Sequence, residues 1–325
     1  MRIEIGTNEA GQRLDKFARK LFTDIPMSGI YKALRKGDIK INEKKAKENY
    51  MLQEGDIFTA NKYVKSASAK EVQTKGKEYI KIEKNGMKVI YEDKNVLIVE
   101  KWAGVDVQSD IKSGVPSLTD FVLTYLEDKG DYIPENELTF RPSPCNRLDV
   151  NTSGMVIYGK NFQATKAINE VIRERKIEKY YLALVKGRIK EGRYEAYIKK
   201  NEASNMSRVY AKEVAGSKKI AMEVTTLKSV GTMSLIEINL ITGKSHQIRA
   251  HLNFLGNPIV GDKKYGDKEL NNFFLNKFEL VFQYLYAYKY KFGECTEVIE
   301  DLSNKTITAA LPPLFKSINK DVFRF

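Results

Sequence analysis

The sequence predicts an α+β protein with a large, mainly antiparallel mixed sheet and flanking helices, preceded by a small α/β unit. Three observations support this class. At 325 residues the chain exceeds one typical domain and can bury a large core. After residue 89, short apolar segments with a period of two are frequent, whereas helical periodicity occurs in only a few segments. Strands and helices do not alternate regularly, so a βαβ array is not expected.

The small unit is predicted to cover residues 1–60, with two helices followed by short strands. After Gly37 the apolar residues alternate, which predicts those strands. Ser28 is the predicted N-cap of the second helix, and Gly37 is its predicted C′ residue. One apolar stripe marks the first helix, from Arg13 onward: Leu14, Phe17, Ala18, Leu21 and Phe22.

Residues 61–88 are predicted to form a flexible basic linker. They are rich in lysine, serine and alanine and lack apolar periodicity, so they cannot form a core. The larger domain is then predicted to cover residues 89–325. Within it, residues 89–101 and 181–187 have the pattern of strands, and residues 115–128 and 164–172 that of helices.

The charge of the chain indicates a polyanionic partner. The net charge is +13 and is spread along the sequence, which favours nucleic acid over a membrane surface. No run of about 18 apolar residues occurs and the first residues lack a signal-peptide core, so we expect a cytoplasmic protein. Two distant cysteines fit a reducing compartment. Of these, Cys145 is expected to pack rather than react, since no base is near it in sequence.

Residues 144–160 set a single acid among turn-forming residues. Asp149 lies two residues after Arg147, and a β-rich segment follows. Its neighbours satisfy their own backbone in turns, so we expect Asp149 in an ordered loop at a strand edge. The alternative is a solvated turn that carries a surface Arg and Asp. The turn formers are Asn151, Thr152, Ser153 and Gly154.

Residues 243–251 contain both histidines of the chain and suggest two kinds of ligand site, a zinc site and a phosphate-binding loop. Neither fits the spacing of the residues. His246 and His251 are five residues apart rather than four, so a helical zinc site is not expected. Residues 243–245 resemble the end of a phosphate-binding loop, but the glycine required five residues earlier is Ile238. We therefore expect a half-buried helix whose histidines cap or hydrogen-bond nearby backbone.

Four ordered motifs occur in the larger domain, at residues 146–154, 179–187, 242–251 and 283–287. They resemble those of the RluA, RluC and RluD type of pseudouridine synthase, which isomerises uridine in structured RNA, and the similarity spans roughly residues 89–312. The resemblance implies that Asp149 is the catalytic residue, that Tyr181 is the active-site tyrosine and that Arg249 is the basic partner of the Asp. It also implies a pseudouridine synthase fold without metal or cofactor.

Further residues are implied to meet RNA. Arg147 is the candidate to fill the gap left by an extruded base, and Asn146, Thr152 and Ser153 share its loop. Three positions depart from the usual family residues, and these departures could shift substrate choice. Asn146 stands where many members have His, Trp102 where Pro is usual, and Tyr286 where His is common.

The first 60 residues resemble the α-L RNA-binding motif first named in a ribosomal small-subunit protein. The similar residues are 12–16, 32–39, 41–42 and 55–56. In that family the second helix and the following turn face RNA. The alternative is an ordinary solvated helix face. The resemblance implies an RNA-binding role for Arg13, Lys32, Arg35, Lys36 and Lys40.

The predicted function is isomerisation of specific uridines by base flipping, in large-subunit ribosomal RNA. The reaction is redox-neutral and needs one oxygen nucleophile or base, the role open to Asp149. Transfer RNA is the alternative substrate, and a non-catalytic RNA-binding or ribosome-assembly factor is the alternative class. An RNA hydrolase ranks last, since no comparable motif carries a second carboxylate. We expect structured RNA as partner, without DNA or membrane, and a monomer.

Overall fold

The computed structural model describes residues 1–61, 79–108, 114–201 and 203–324. The small domain packs two helices on a short antiparallel sheet in the order β1-β3-β2. Its core includes Phe17 and Phe58, whose rings meet edge to face with centroids 5.3 Å apart. Its elements are β1 (Arg2–Glu4), α1 (Leu14–Leu21), α2 (Met27–Lys36), β2 (Ile39–Ile41) and β3 (Ile57–Ala60).

The ends of α2 test the two predicted caps. Gly37 follows the helix in the left-handed conformation, with φ of 82°, as predicted. The predicted N-cap is wrong, because the helix begins at Met27 and Pro26 holds the N-cap position. Proline fixes its own φ near the value that this helix entry requires, so Ser28 falls within the first turn.

The large domain is built on one mixed sheet with helices on both sides, as the sequence predicted. In its described part the strand order is β10-β9-β11-β12-β8-β13-β7-β5-β4, with β14 on β13 and β6 on β7. The strands are β4 (Lys88–Glu92), β5 (Val96–Lys101), β6 (Ser143–Pro144), β7 (Ser153–Gly159), β8 (Ile177–Lys186), β9 (Gly192–Asn201), β10 (Met206–Tyr210), β11 (Lys218–Val230), β12 (Met233–Leu240), β13 (Leu285–Phe292) and β14 (Thr306–Thr308).

Three helices of the large domain lie close to the segments whose pattern predicted them, whereas the helices at Lys268–Phe278 and Pro313–Phe323 were not predicted. The helix predicted at residues 115–128 begins three residues later, because Ser117 and Asp120 form a capping box. No helix in the described ranges is long and apolar enough to span a membrane. The helices are α3 (Leu118–Lys129), α4 (Phe162–Arg173), α5 (Gln247–Phe254), α6 (Lys268–Phe278) and α7 (Pro313–Phe323).

Strands β7 and β13 meet where the two halves of the sheet join. They pair in parallel over a short register, Tyr286 with Ser153 and Ala287 with Gly154. A Cβ on Gly154 would lie 2.4 Å from the carbonyl oxygen of Ala287, and the glycine has φ of 129°. Only glycine fits so close a backbone approach. This contact brings the loop that precedes β7 next to the centre of the sheet.

The predicted linker is described only from residue 79 onward, and residues 62–78 lie outside the described ranges. The backbone N–H groups of Ile80 and Ile82 donate to the side chains of Asp120 and Thr124 on α3, at 3.0 and 3.1 Å. Strand β4 then begins at Lys88. Residues 79–88 therefore pack on the large domain instead of forming part of a free tether.

The small domain contacts the large one through the loop before α1. Asn8 Nδ2 donates to Glu137 at 2.7 Å, and Asn8 Oδ1 accepts from the Phe162 N–H at the start of α4, at 3.1 Å. Gln163 Nε2 donates to the carbonyl oxygen of Ala10 at 2.8 Å. The two domains are thus joined by directional hydrogen bonds as well as by the chain.

Candidate active site

The loop between β6 and β7 carries Asp149 and is held by several backbone contacts. The Thr152 N–H donates to the Asp149 carbonyl oxygen at 3.0 Å and closes a turn. The carbonyl oxygen of Val150 accepts from the Gly104 N–H at 3.0 Å and from Lys101 Nζ at 2.7 Å. The turn-forming residues of the sequence predicted an ordered loop at this place. The hydrogen bonds described above hold the loop from both sides before any ligand binds.

Asp149 forms an ion pair with Arg249, which lies 100 residues downstream. Arg249 Nη1 donates to Asp149 Oδ2 at 2.8 Å. The carboxylate side chain is 28% exposed and the Arg side chain 6% exposed, so the pair lies at the boundary between solvent and core. Burial lowers the pKa of Arg249, but the bonds to Asp262 and Asp149 outweigh this effect and raise its pKa.

Helix α5 places Arg249 in its first turn. His246 is the N-cap in the left-handed conformation, with φ of 57°. Gln247 Oε1 accepts from the Thr242 hydroxyl at 2.9 Å and from the Lys244 N–H at 3.1 Å, while its amide donates to the Ala221 carbonyl oxygen at 3.1 Å. These bonds fix the start of the helix and thereby the direction of the Arg249 side chain.

Tyr181 lies on β8 and is 6% exposed. It belongs to the same apolar cluster as Ile248, with Leu148 packed against it. Burial raises the pKa of Tyr181, and the charge of nearby Asp149 raises it further. The structure therefore brings Asp149, Tyr181 and Arg249 together, although the chain separates them widely. Their catalytic roles stay a prediction.

Asp262 and Tyr265 also belong to this site, and sequence reasoning assigned them no role. Arg249 Nε and Nη2 donate to the two carboxylate oxygens of Asp262 at 2.7 and 2.9 Å, and the Asp262 side chain is fully buried. The Arg249 guanidinium also lies over the Tyr265 ring, 5.2 Å from its centroid. The only sequence signal was an acid between two glycines, Gly261 and Gly266.

The residues predicted to meet RNA divide into two groups. Arg147 is exposed. Thr152 and Ser153 are buried, and the Thr152 hydroxyl accepts from Gln283 at 3.0 Å. Asn146 Oδ1 accepts from the Ile157 N–H at 2.8 Å, and its amide donates to the Tyr290 hydroxyl at 3.0 Å. The structure therefore leaves Arg147 open to solvent, whereas the polar atoms of Asn146 and Thr152 bond within the protein.

The other two departures from the family pattern also lie near the loop. The single proton of the Tyr286 hydroxyl has two acceptors in reach, a Glu100 carboxylate oxygen at 2.5 Å and the Ala310 carbonyl oxygen at 2.9 Å. Trp102 is 39% exposed and meets Phe121 edge to face. Of the two, only Trp102 presents a large surface to solvent.

In the small domain, all five predicted RNA-binding cations are exposed, and four of them lie on or after α2. Arg13 differs from the other four because its guanidinium is already paired. It forms two hydrogen bonds to the buried Asp15, at 2.9 and 3.1 Å. A cation in such a pair is less free to meet a phosphate. The four on or after α2 are Lys32, Arg35, Lys36 and Lys40.

The histidines were expected to cap the helix or to hydrogen-bond nearby backbone, and His246 does hold the N-cap position, although its side chain makes no capping bond. His246 Nδ1 pairs with the Tyr265 hydroxyl at 2.9 Å, and burial is the main cause that lowers its pKa. His251 is 1% exposed and its Nδ1 has no hydrogen-bond partner among the described residues. Burial lowers the pKa of His251 to about 4. The surroundings of both histidine side chains depend on how α5 packs in the folded protein. The local sequence pattern does not contain this information.

A cavity of about 300 Å³ lies next to the Asp149 loop. Lys101, Ser153 and Gln283 contribute to its wall, but Asp149 does not. Most of the remaining wall is apolar, including Trp102 and Phe282. The partly exposed Asp149 side chain therefore lies outside this cavity.

Solved structures share this fold. The human RNA pseudouridylate synthase domain containing 4 protein is 20% identical, with a TM-score of 0.57, over 73% of this chain and 93% of that one. The human domain containing 1 protein is 21% identical, with a TM-score of 0.50, over 72% and 95%. The large domain therefore has the pseudouridine synthase fold.

Comparison with known sequences identifies the family of this chain. The RNA pseudouridylate synthase family matches residues 95–254, and the S4 domain matches residues 12–58. An uncharacterized RNA pseudouridine synthase of Mycoplasma genitalium is 34% identical over 86% of this chain and 88% of the relative. The ribosomal large subunit pseudouridine synthase C of Buchnera aphidicola is 33% identical over 98% and 96%. The chain belongs to the RNA pseudouridine synthase family, whose members are isomerases, and it carries an RNA-binding S4 domain.

Proposed function

We propose that this chain isomerises specific uridines of large-subunit ribosomal RNA, with Asp149 as the catalytic residue. The observation that carries the proposal is the bond between Arg249 Nη1 and Asp149 Oδ2, at 2.8 Å, beside Tyr181. Relatives from Buchnera aphidicola and Vibrio cholerae named ribosomal large subunit pseudouridine synthase C support the choice of RNA. Transfer RNA remains the alternative substrate.

The arrangement suits an isomerisation without net oxidation. The bond from uracil N1 to the sugar breaks, a bond from C5 to the same sugar carbon forms, C5 loses its proton and N1 gains one. Asp149 supplies the oxygen nucleophile or base. No described residue donates a hydrogen bond to its Oδ1, whereas Oδ2 is held by Arg249. One oxygen is thus free for the substrate while the other fixes the orientation of the carboxylate.

Base flipping requires a surface for the extruded base and a side chain that fills the gap in the RNA. We assign these roles to Tyr181 and Arg147. The target uridine must leave its stack, which costs a few kcal/mol. Tyr181 offers a flat ring beside Asp149 for the extruded base, and its buried phenol stays protonated because its pKa is raised. Arg147 is exposed on the same loop, which supports its proposed role of occupying the gap in the RNA.

The S4 domain adds a second RNA contact at a fixed place. Lys32, Arg35, Lys36 and Lys40 form an exposed cationic group that attracts phosphates. The hydrogen bonds from Asn8 and Gln163 hold this domain against the large one. A substrate long enough to reach both domains is therefore favoured, which suits structured RNA over a short oligonucleotide.

Release of tritium from RNA labelled at uracil C5 tests the proposal. Asp149→Asn should abolish release from a large-subunit ribosomal RNA fragment, while the fold is kept. Asp128→Asn is the matched control, since Asp128 is an exposed carboxylate at the end of α3. Equal release by Asp149→Asn and wild type would refute the role of Asp149. Release from transfer RNA alone would refute the substrate, and no release by wild type from any RNA would favour a non-catalytic RNA-binding factor.

A further inference from the structure

We propose that Asp262 is a positioning residue that holds Arg249 so that only one of its nitrogens reaches Asp149. This inference rests on the proposed function of Asp149. Asp262 accepts from Nε and Nη2 of Arg249, at 2.7 and 2.9 Å, which occupies one whole edge of the guanidinium. Nη1 alone then contacts Asp149 Oδ2, at 2.8 Å.

The turn around Asp262 is built to hold this carboxylate in place. Asp262 Oδ1 also accepts from the N–H groups of Lys264 and Tyr265, at 2.9 and 3.1 Å. The Asp262 carbonyl oxygen accepts from the Gly266 N–H at 2.8 Å and from Asn271 Nδ2 at 2.9 Å. Backbone and side chain of Asp262 are both fixed, so its carboxylate cannot follow Arg249 if the guanidinium turns.

The two glycines that flank the turn have steric reasons to be there. A Cβ on Gly261 would lie 2.3 Å from the carbonyl oxygen of Phe282, and a Cβ on Gly266 would lie 2.3 Å from that of Asp262. Gly261 also has φ of 80°. The turn from Gly261 to Gly266 thus forms a rigid support behind Arg249.

The consequence for chemistry lies in how a guanidinium binds a carboxylate. A free edge of Arg249 could bind both oxygens of Asp149, since bidentate pairs are the favoured geometry. Asp262 occupies that edge, so Asp149 Oδ1 is left without a donor from any described residue. One cation then serves two carboxylates, and Asp149 stays oriented but available to the substrate.

Steady-state kinetics of Asp262→Asn test the inference. The amide keeps the shape but replaces one acceptor by a donor that faces Arg249, so the edge is released. We expect kcat to fall by about tenfold or more with KM for the RNA within about threefold, because RNA binding groups are untouched. Asp267→Asn is the matched control, an Asp that caps α6 and pairs with Lys186 outside the site. A kcat for Asp262→Asn within about twofold of this control would overturn the inference.

Exchange of the Arg249 Nε–H proton, measured by NMR and assigned with Arg249→Lys, gives a reading that a general loss of stability would not mimic. In wild type this proton should exchange slowly, since it is bonded to a buried carboxylate. In folded Asp262→Asn it should exchange faster. Exchange in wild type as fast as that of an exposed arginine would overturn the inference, even if the variant failed to fold. This reading needs no RNA, so it stays decisive if the proposed activity itself is refuted.

Discussion

The acid stability of this protein should depend on His251, which α5 buries two residues after Arg249. His251 is 1% exposed, and burial lowers its pKa from 6.5 to about 4. In the unfolded chain His251 has its ordinary pKa of 6.5. Between pH 6.5 and 4 the unfolded state therefore binds more protons than the folded state. The stabilising contribution of the neutral ring is therefore complete above pH 6.5 and is lost as the pH falls.

The size of this loss follows from the two pKa values of His251. The shift of roughly 2.5 pKa units limits the effect to about 3.4 kcal/mol. Between pH 7.5 and 5.0 the binding equation gives a decrease of about 2 kcal/mol in the free energy of unfolding. Urea denaturation of wild type and His251→Gln at both pH values should show this difference in their pH dependence, since other groups cancel.

The other histidine provides the control. His246→Gln removes the half-buried ring at the N-cap of α5 and leaves His251 in place, so most of the acid sensitivity should persist. If His251→Gln loses as much stability as wild type between the two pH values, the buried neutral ring is not the cause, and the argument from burial fails.

Two further predictions concern the Asp149 loop and the strand that follows it. Gly154→Ala should lower the free energy of unfolding by more than about 4 kcal/mol, because its Cβ would meet the Ala287 carbonyl oxygen at 2.4 Å. Gly192→Ala is the control, because Gly192 has φ of 144° but an added Cβ would meet no atom within 4 Å, so it should cost only about 1–2 kcal/mol of backbone strain. If urea denaturation shows equal losses of stability for the two variants, the steric clash at Gly154 is not the cause. Burial raises the pKa of Cys145 to about 12, so folded protein treated with iodoacetamide at mildly alkaline pH should keep this thiol unmodified by mass spectrometry. Rapid alkylation of Cys145 with loss of activity would show a reactive thiol.

Local patterns in the sequence predicted α1 to α5 and one helix end that depends on backbone conformation, but they did not predict α6 and α7. Gly37 was predicted as a C′ residue because only a left-handed residue ends a helix in this way, and it has φ of 82°. The prediction of Ser28 as N-cap failed because Pro26 competes for the same position and side-chain propensity does not rank the two. The start of α3 differed for a similar reason, since a capping box lies within the predicted helix.

Side-chain direction in the Asp149 loop could not be predicted. Turn propensity indicated an ordered loop, but it does not report which side chains point inward. Asn146 bonds to Ile157 and Tyr290, and Thr152 to Gln283, so both side chains support the loop from inside. These partners come from other strands, and their register exists only in the folded chain.

The sequence by itself determined the α+β class, the cationic second helix of the S4 domain and the three residues expected to form the site. Each of these rests on periodicity or on a short motif, which are local properties of the chain. Only the tertiary structure decided that Arg249 meets Asp149 and Asp262 at once, over 100 and 13 residues. The physical reason is that a buried cation needs acceptors, and their identity depends on how α5 packs against the loop before β7 and the turn at Asp262.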